Sequence, residues 1–223
     1  MIGCFVTGTD TGVGKTLMSA ALLHALARHH PRVVGMKPVA AGAVRIGDAR
    51  FSEDAIALRA ASTCEVPPEL DNPVVLPDAL SPHIAAARTG VRIDIHHLVA
   101  CYRELSRYAD AVVVEGAGGF HVPLSASTTG ADLARVLALP VVLVVGLRLG
   151  CLNHALLTAE AIRARGLALA GWVANRMDPQ MQAQEENIAW LQRHLAAPLL
   201  ADVPHQDMPD ARALNFKLPA AWT

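Results

Sequence analysis

Aromatic residues are scarce. Phe, Trp and Tyr make up 4% of the chain, and its basic residues form no long block or stripe with aromatics between them. A surface that stacks bases along a neutralised phosphate backbone is therefore poorly supported, and nucleic acid is not the expected partner. Excess charge is missing too: the formal net charge is −1. A small charged substrate held in a local site needs no whole-protein charge bias. The four cysteines, Cys4, Cys64, Cys101 and Cys151, are widely scattered. They form no close metal-ligand pair and no disulfide framework, which fits a reducing cytoplasm. No apolar run reaches the ~20 residues of a membrane span. Val141 to Val145 is bounded by Pro140 and Gly146 and reads as a buried strand. No basic segment precedes the first apolar run, so neither export nor a membrane partner is expected.

What is present is apolar and regularly punctuated. Hydrophobic residues are 52% of the chain, enough for a sizeable core. Short β-branched runs predict strands at Ile2 to Thr7, Val33 to Lys37, Ala111 to Glu115, Val141 to Val145, Leu169 to Ala174 and Leu199 to Val203. Between them, helical patterns cover Lys15 to Arg28, Ser52 to Ala60, Pro82 to Arg88, Asp94 to Tyr108, Asp132 to Ala138, Asn153 to Arg165 and Gln182 to Leu195. Near-continuous apolarity in the strands points to a parallel sheet covered on both faces. The expectation is one doubly wound α/β domain over residues 1–223. The segment Cys64 to Pro82 holds Pro67, Pro68, Pro73, Pro77 and Pro82 without a sustained period. It reads as a surface crossover, or equally as the border of a substrate groove.

The first strand runs into Gly8-Thr-Asp-Thr-Gly-Val-Gly-Lys-Thr16, and a helix follows. Strand, Gly-rich loop and helix are the context that makes Gly-Lys-Thr a phosphate-binding site, and a fold of the P-loop NTPase type follows from it. Loop amides surround phosphate oxygens, Lys15 adds a point charge, and the Thr16 hydroxyl reaches Mg²⁺. The loop is a variant. Five residues separate Gly8 from Gly14-Lys15-Thr16, where four are usual, and Thr9 holds the expected Gly position.

Other candidates lie at strand exits, where open parallel sheets gather ligands. Lys37 closes the second strand and can face the phosphate loop. Arg45 and Arg50 follow it in a polar loop. Glu115 ends the third strand ahead of Gly116-Ala-Gly-Gly119, and a carboxylate there can meet Mg²⁺ while the glycines admit a ligand. Glu53 and Asp54 stand near a predicted helix start, where a carboxylate also serves as a helix-terminal charge; Asp54 is the stronger candidate. Thr16, Asp54 and Glu115 together are oxygen ligands of the kind Mg²⁺ takes, and Lys15 and Lys37 offset phosphate charge. Thr11 can contact phosphate or acceptor. Asp10 can orient the loop or a water, or cap a turn. Gly146 to His154 enters a helix whose first amides can receive a carboxylate, with Asn153 either a ligand or an N-cap. Asn175, at the fifth strand's exit, has the donors and acceptors of a base reader.

Several of these segments recur together in one family. The chain resembles the dethiobiotin synthetases through Phe5 to Thr11 with Val13-Gly-Lys-Thr16, Lys37-Pro-Val39, Ser81-Pro-His83, Val114 to Gly119, Leu143 to Gly146, Leu149-Gly-Cys151 with Asn153-His154, and Gly171 to Asn175. The resemblance implies an ATP- and Mg²⁺-dependent homodimer that converts 7,8-diaminononanoate and CO₂ to dethiobiotin, ADP and phosphate, through a carbamate and its mixed anhydride with phosphate. It assigns ATP to Gly12, Val13, Gly14, Lys15, Thr16 and Leu17, with Gly116 and Gly118 beside it. Asn175, Arg176 and Pro204 fall at the adenine, and Thr16, Asp54 and Glu115 around Mg²⁺. Lys37 and Lys15 assist the transfer with Thr11. The diamine meets Thr11, Lys37, Ala41 and Gly118, and its carboxylate meets Gly150, Cys151, Leu152 and Asn153 across the dimer interface. Three positions depart from the family pattern: Gly12 where an acid is common, Ala41 where a serine is expected, and Asn187 near an expected tyrosine. An ATP-dependent amide ligase and a dimeric ATPase switch are the alternatives. Neither a glutamine-hydrolysing domain nor a basic amphipathic tail is evident for them.

Overall fold

The computed structural model describes residues 1–46 and 49–223. Its elements in chain order are β1 (Ile2–Gly8), α1 (Lys15–Leu26), β2 (Val33–Met36), β3 (Val39–Ala41), β4 (Val44–Ile46), β5 (Ala49–Phe51), α2 (Glu53–Ala61), α3 (Pro68–Asp71), β6 (Val74–Leu76), α4 (Pro82–Thr89), α5 (Ile95–Leu105), β7 (Ala111–Gly119), α6 (Gly130–Leu137), β8 (Val141–Gly146), α7 (Cys151–Ala164), β9 (Leu169–Asn175), α8 (Gln184–His194) and β10 (Leu199–Val203). Six strands form a parallel sheet in the order β10-β9-β8-β1-β7-β2. The chain leaves β1 towards one edge and later crosses to the other side, so β1 lies at the reversal point where such sheets bind ligands.

Strand alternation divides the core between the two faces. Cys4 and Val6 pack with Val113, Val142 and Val144 against Met18, Leu22 and Leu26 of α1 and Leu58 of α2. Leu214 and Trp222, from the C-terminal segment, close that layer. Phe5, Val112 and Val114 turn the other way, onto Leu98 and Leu105 of α5 and Leu133 of α6. Leu143, Val145 and Trp172 continue that face beneath α7 and α8. The doubly wound architecture expected from the sequence is thus observed.

Two local expectations need correction. The proline segment is not irregular throughout. It contains the short helix α3 and strand β6, and β6 pairs in parallel with β3 through Val39–Val74 and Ala41–Leu76. Arg45 and Arg50 lie not in a plain loop but opposite each other on two short antiparallel strands, β4 and β5; residues 47–48 are outside the described residues. Both corrections involve three-residue strands, too short to impose a period on sequence.

Candidate functional site

Four side chains from four elements meet above the carboxyl end of β1. Thr16 lies in the first turn of α1, Lys37 follows β2, Asp54 lies in the first turn of α2, and Glu115 is on β7. The Thr16 hydroxyl lies 2.8 Å from Asp54 Oδ1 and 2.9 Å from Glu115 Oε1, so two acceptors share one proton. Lys37 Nζ is 2.7 Å from Asp54 Oδ2 and 2.6 Å from Glu115 Oε1, and it also donates to the Gly116 carbonyl at 3.3 Å. Lys37 is 4% exposed and Glu115 fully buried, whereas the Asp54 side chain is 42% exposed. Burial alone would lower the Lys37 pKa, but the Glu115 and Asp54 carboxylates win and hold it above the usual lysine range. Asp54 is the counterpart. Its partial burial opposes ionisation, yet Lys37 and then the Thr16 hydroxyl keep its carboxyl below the usual range.

The phosphate loop is held open by its own backbone. Gly12 and Gly14 have φ of 73° and 87°, in the left-handed region that favours glycine. A Cβ at Gly14 would stand 2.5 Å from Asn175 Nδ2, which donates to the Val13 carbonyl at 3.0 Å. Asp10 orients the loop, as one of its two expected uses required. Its Oδ1 accepts the Thr11 N–H at 2.7 Å, its other oxygen pairs with Arg148, and its carbonyl accepts from Lys15 Nζ at 3.1 Å. The Thr11 N–H, aided by Arg148, holds the Asp10 carboxyl below the usual range. Arg148 carries no motif, so its part in the loop is visible only in the fold.

Lys15 is in a different state from Lys37. It is 7% exposed with no carboxylate of the described residues in direct contact, and burial, reinforced by the neighbouring Lys37 charge, pushes its pKa down to about 8. A depressed lysine costs stability while it is protonated in the fold. That cost is complete below about pH 8 and is relieved between pH 8 and 10.5, where the unfolded chain still holds the proton. In metal-free buffer, Lys15→Met is therefore expected to be more stable than the wild type near neutral pH. Its advantage should shrink by about 2 kcal/mol as pH rises from about 8 to about 9.5. Urea unfolding of both proteins across that range measures it; an advantage that stays constant with pH would refute the buried charge.

These groups line a cleft of about 840 Å³ whose walls include Thr11, Gly12, Gly14, Lys15, Thr16, Lys37, Ala41, Asp54, Glu115 and Gly118. The proline segment contributes Ala79 to Pro82, so its second expected role, bordering a groove, is also observed. Other candidates lie elsewhere. Val13 is buried in the core, and Leu17 faces the α1–α2 side. Gly116 is buried behind the cleft floor, while Pro204 is exposed beyond β10. Arg176 is engaged by Asp202 at 2.7 Å and Glu185 at 2.6 Å. Gly150, Cys151, Leu152 and Asn153 form the start of α7 and do not line this cleft. Asn153 is not the N-cap: the helix begins earlier, at Gly150 with φ 96°, and has no side-chain cap. Asn187 lies on α8 and donates to the Ala183 carbonyl at 2.7 Å.

A family model described as an AAA domain matches residues 3–212. An ATP-dependent dethiobiotin synthetase BioD from Janthinobacterium sp. (strain Marseille) is 54% identical over 227 residues, covering 98% of this chain and 96% of that protein. The chain belongs to the dethiobiotin synthetase family. Distant solved structures share the fold alone. The MinD cell division protein of Aquifex aeolicus superposes with a TM-score of 0.57 at 16% identity, over 93% of this chain and 84% of that one. A ParA family ATPase from Chlorobium tepidum TLS gives 0.54 at 14% identity, over 92% and 85%. Among the described residues, no helix is long and apolar enough to cross a membrane.

Proposed function

We propose that this chain, acting as one synthetase domain in a cytoplasmic homodimer, joins CO₂ to 7,8-diaminononanoate and closes the ring of dethiobiotin at the expense of ATP. The observation that carries this reading is the convergence of Lys37, Asp54, Glu115 and Thr16 beside the phosphate loop of a protein 54% identical to a named synthetase.

The fit to Mg²⁺ rests on donor chemistry. Two carboxylates and a hydroxyl supply only oxygen, which this hard cation takes, commonly with few protein ligands and the rest from phosphate and water. Glu115 Oε2 is buried without a hydrogen-bond partner among the described residues, and an ammonium already bridges the two carboxylates. Thr16, Asp54 and Glu115 would hold Mg²⁺, which when bound neutralises charge on the ATP phosphates. The remaining work falls to the chain's own residues. Loop amides from Gly12 to Thr16 and the Lys15 ammonium hold the phosphates, and Asn175 faces adenine with Arg176 and Pro204 behind it. Leu17 and Val13 support the loop from the core. Thr11 and Gly118 meet the diamine near Ala41, while Gly150 to Asn153 offer α7 amides to its carboxylate from the partner subunit.

One substrate amine attacks CO₂ and loses a proton, giving a carbamate. A carbamate oxygen attacks the γ-phosphorus of ATP, and ADP leaves. The second amine then attacks the carbonyl carbon, loses a proton, and expels phosphate. Lys37 leaves its carboxylates to stabilise the transferring phosphoryl group, the contact on which the rate depends most. Tethering both amines in one molecule makes the last step effectively unimolecular. With ATP, Mg²⁺, bicarbonate and the diamine, dethiobiotin should appear by mass spectrometry in step with ADP. ATP hydrolysis indifferent to the diamine, with no product, would instead favour an ATPase switch and sink the synthetase reading.

A further inference from the structure

The part of the proline segment before β6 does not itself line the cleft, yet it is tied to Lys37, which does. β2 is the outer strand of the sheet, and its pairing with β7 ends at Met36. Lys37 thus steps off the sheet edge, followed by a proline. Its N–H donates to the Asp71 carbonyl at 2.7 Å, and its carbonyl accepts from Asn72 Nδ2 at 2.7 Å. Asp71 and Asn72 are themselves buried, at 2% and 6% exposure. The Asp71 carboxylate takes a two-pronged ion pair from Arg59, at 2.6 Å and 2.5 Å. Arg59 belongs to α2, the helix that also carries Asp54. One helix therefore holds Lys37 twice: Asp54 takes the ammonium, and Arg59, through Asp71, anchors the segment that takes the main chain.

A buried amide whose donor is spent on one carbonyl is costly unless that bond is kept, so the contact is strongly specified. We propose that Asp71 and Asn72 are positioning residues for Lys37, clamping its main chain so that only the side chain moves when the ammonium passes from Asp54 and Glu115 to the transferring phosphate. The clamp is independent of the synthetase reading, which supplies only the phosphate at the end of that movement.

The test compares Asn72→Leu, which removes the amide, with Ser62→Ala, which removes the hydroxyl that accepts the Gly35 N–H at 3.0 Å on the same strand. Competitive acetylation with acetic anhydride, read by peptide mass spectrometry, reports Lys37 relative to the exposed Lys217. Asn72→Leu is expected to raise the Lys37 to Lys217 labelling ratio about tenfold and to lower kcat about tenfold, with KM for ATP within about twofold of wild type. Ser62→Ala is expected to lower the melting temperature without moving either. A labelling ratio unmoved in Asn72→Leu, a ratio raised equally in Ser62→Ala, or a kcat within about twofold of wild type each overturns the proposal. Should Asn72→Leu fail to fold, Asn72→Ser, which keeps a donor in a smaller volume, is read in the same way with a smaller change. If the wild type makes no dethiobiotin, the synthetase reading falls while the labelling ratio still decides the clamp.

Discussion

Lys37→Met is expected to lower turnover about a thousandfold and, without metal, to cost the fold about 3 kcal/mol. The first effect follows from removing the cation nearest the transferring phosphoryl group. The second follows from what the ammonium leaves behind. Glu115 is fully buried, and among the described residues its Oε2 has no partner and its Oε1 would keep only the Thr16 hydroxyl. Methionine fills much of the lysine's volume but supplies no charge, so the buried carboxylate loses its counter-charge. Thermal unfolding in EDTA measures this loss, on the order of 10 °C for a protein of this size. Millimolar Mg²⁺ should restore most of the melting temperature but not the turnover, because it replaces the lysine as a counter-charge and not as a mobile one. A variant that melts like the wild type in EDTA would show that Lys37 does not balance Glu115. Sequence reasoning alone expects the loss of Lys37 to impair turnover more than folding. The buried pair makes that contrast depend on whether metal is present.

The second large effect concerns the start of α7. Gly150 to Asn153 lie outside the cleft of their own chain, so the proposed reading has them serve the partner's cleft. Lys15→Met and Gly150→Val should each be inactive as homodimers. The first lacks the phosphate-binding charge, and the second forces a branched side chain into φ 96°. When the two are unfolded together and refolded, activity should return to about a quarter of wild type. In a mixed dimer one cleft then carries both defects and the other carries none. If α7 served its own cleft, each site would keep one defect and the mixture would stay inactive.

Much of this was legible in sequence because the features are local. An apolar run before Gly-Lys-Thr defines β1, the loop and α1 without knowledge of any distant residue. Glu115 and Lys37 stand out because charged residues at the ends of buried strands must face something. The rest depends on contacts distant in sequence. The proline segment forms α3 and β6 because β3, α5 and the edge of β2 give them something to pair with and pack on, not through any period of their own. Arg148 meets Asp10 only because β8 runs beside β1, a neighbourhood that no spacing announces. Asn153 misleads because a residue favoured at helix starts sits within the first turn, while an uncapped glycine begins the helix. Asn72 is one polar residue in a loop until Lys37 is seen beneath it.

The place of β1 in the sheet also bears on how the protein is made. Ile2 pairs with Ala111, about a hundred residues later, and Phe5 with Val141. The Thr9 N–H is held by the Val144 carbonyl at 3.0 Å. Translation therefore produces the phosphate loop long before the strands that flank it, and closing so long a loop is among the slower events of folding. A nascent chain halted before Val141 would display every residue from Gly8 to Thr16 with one side of β1 bare. On the proposed reading, the capacity to capture a nucleotide arrives only with β8, so it marks a first strand flanked on both sides rather than a completed loop.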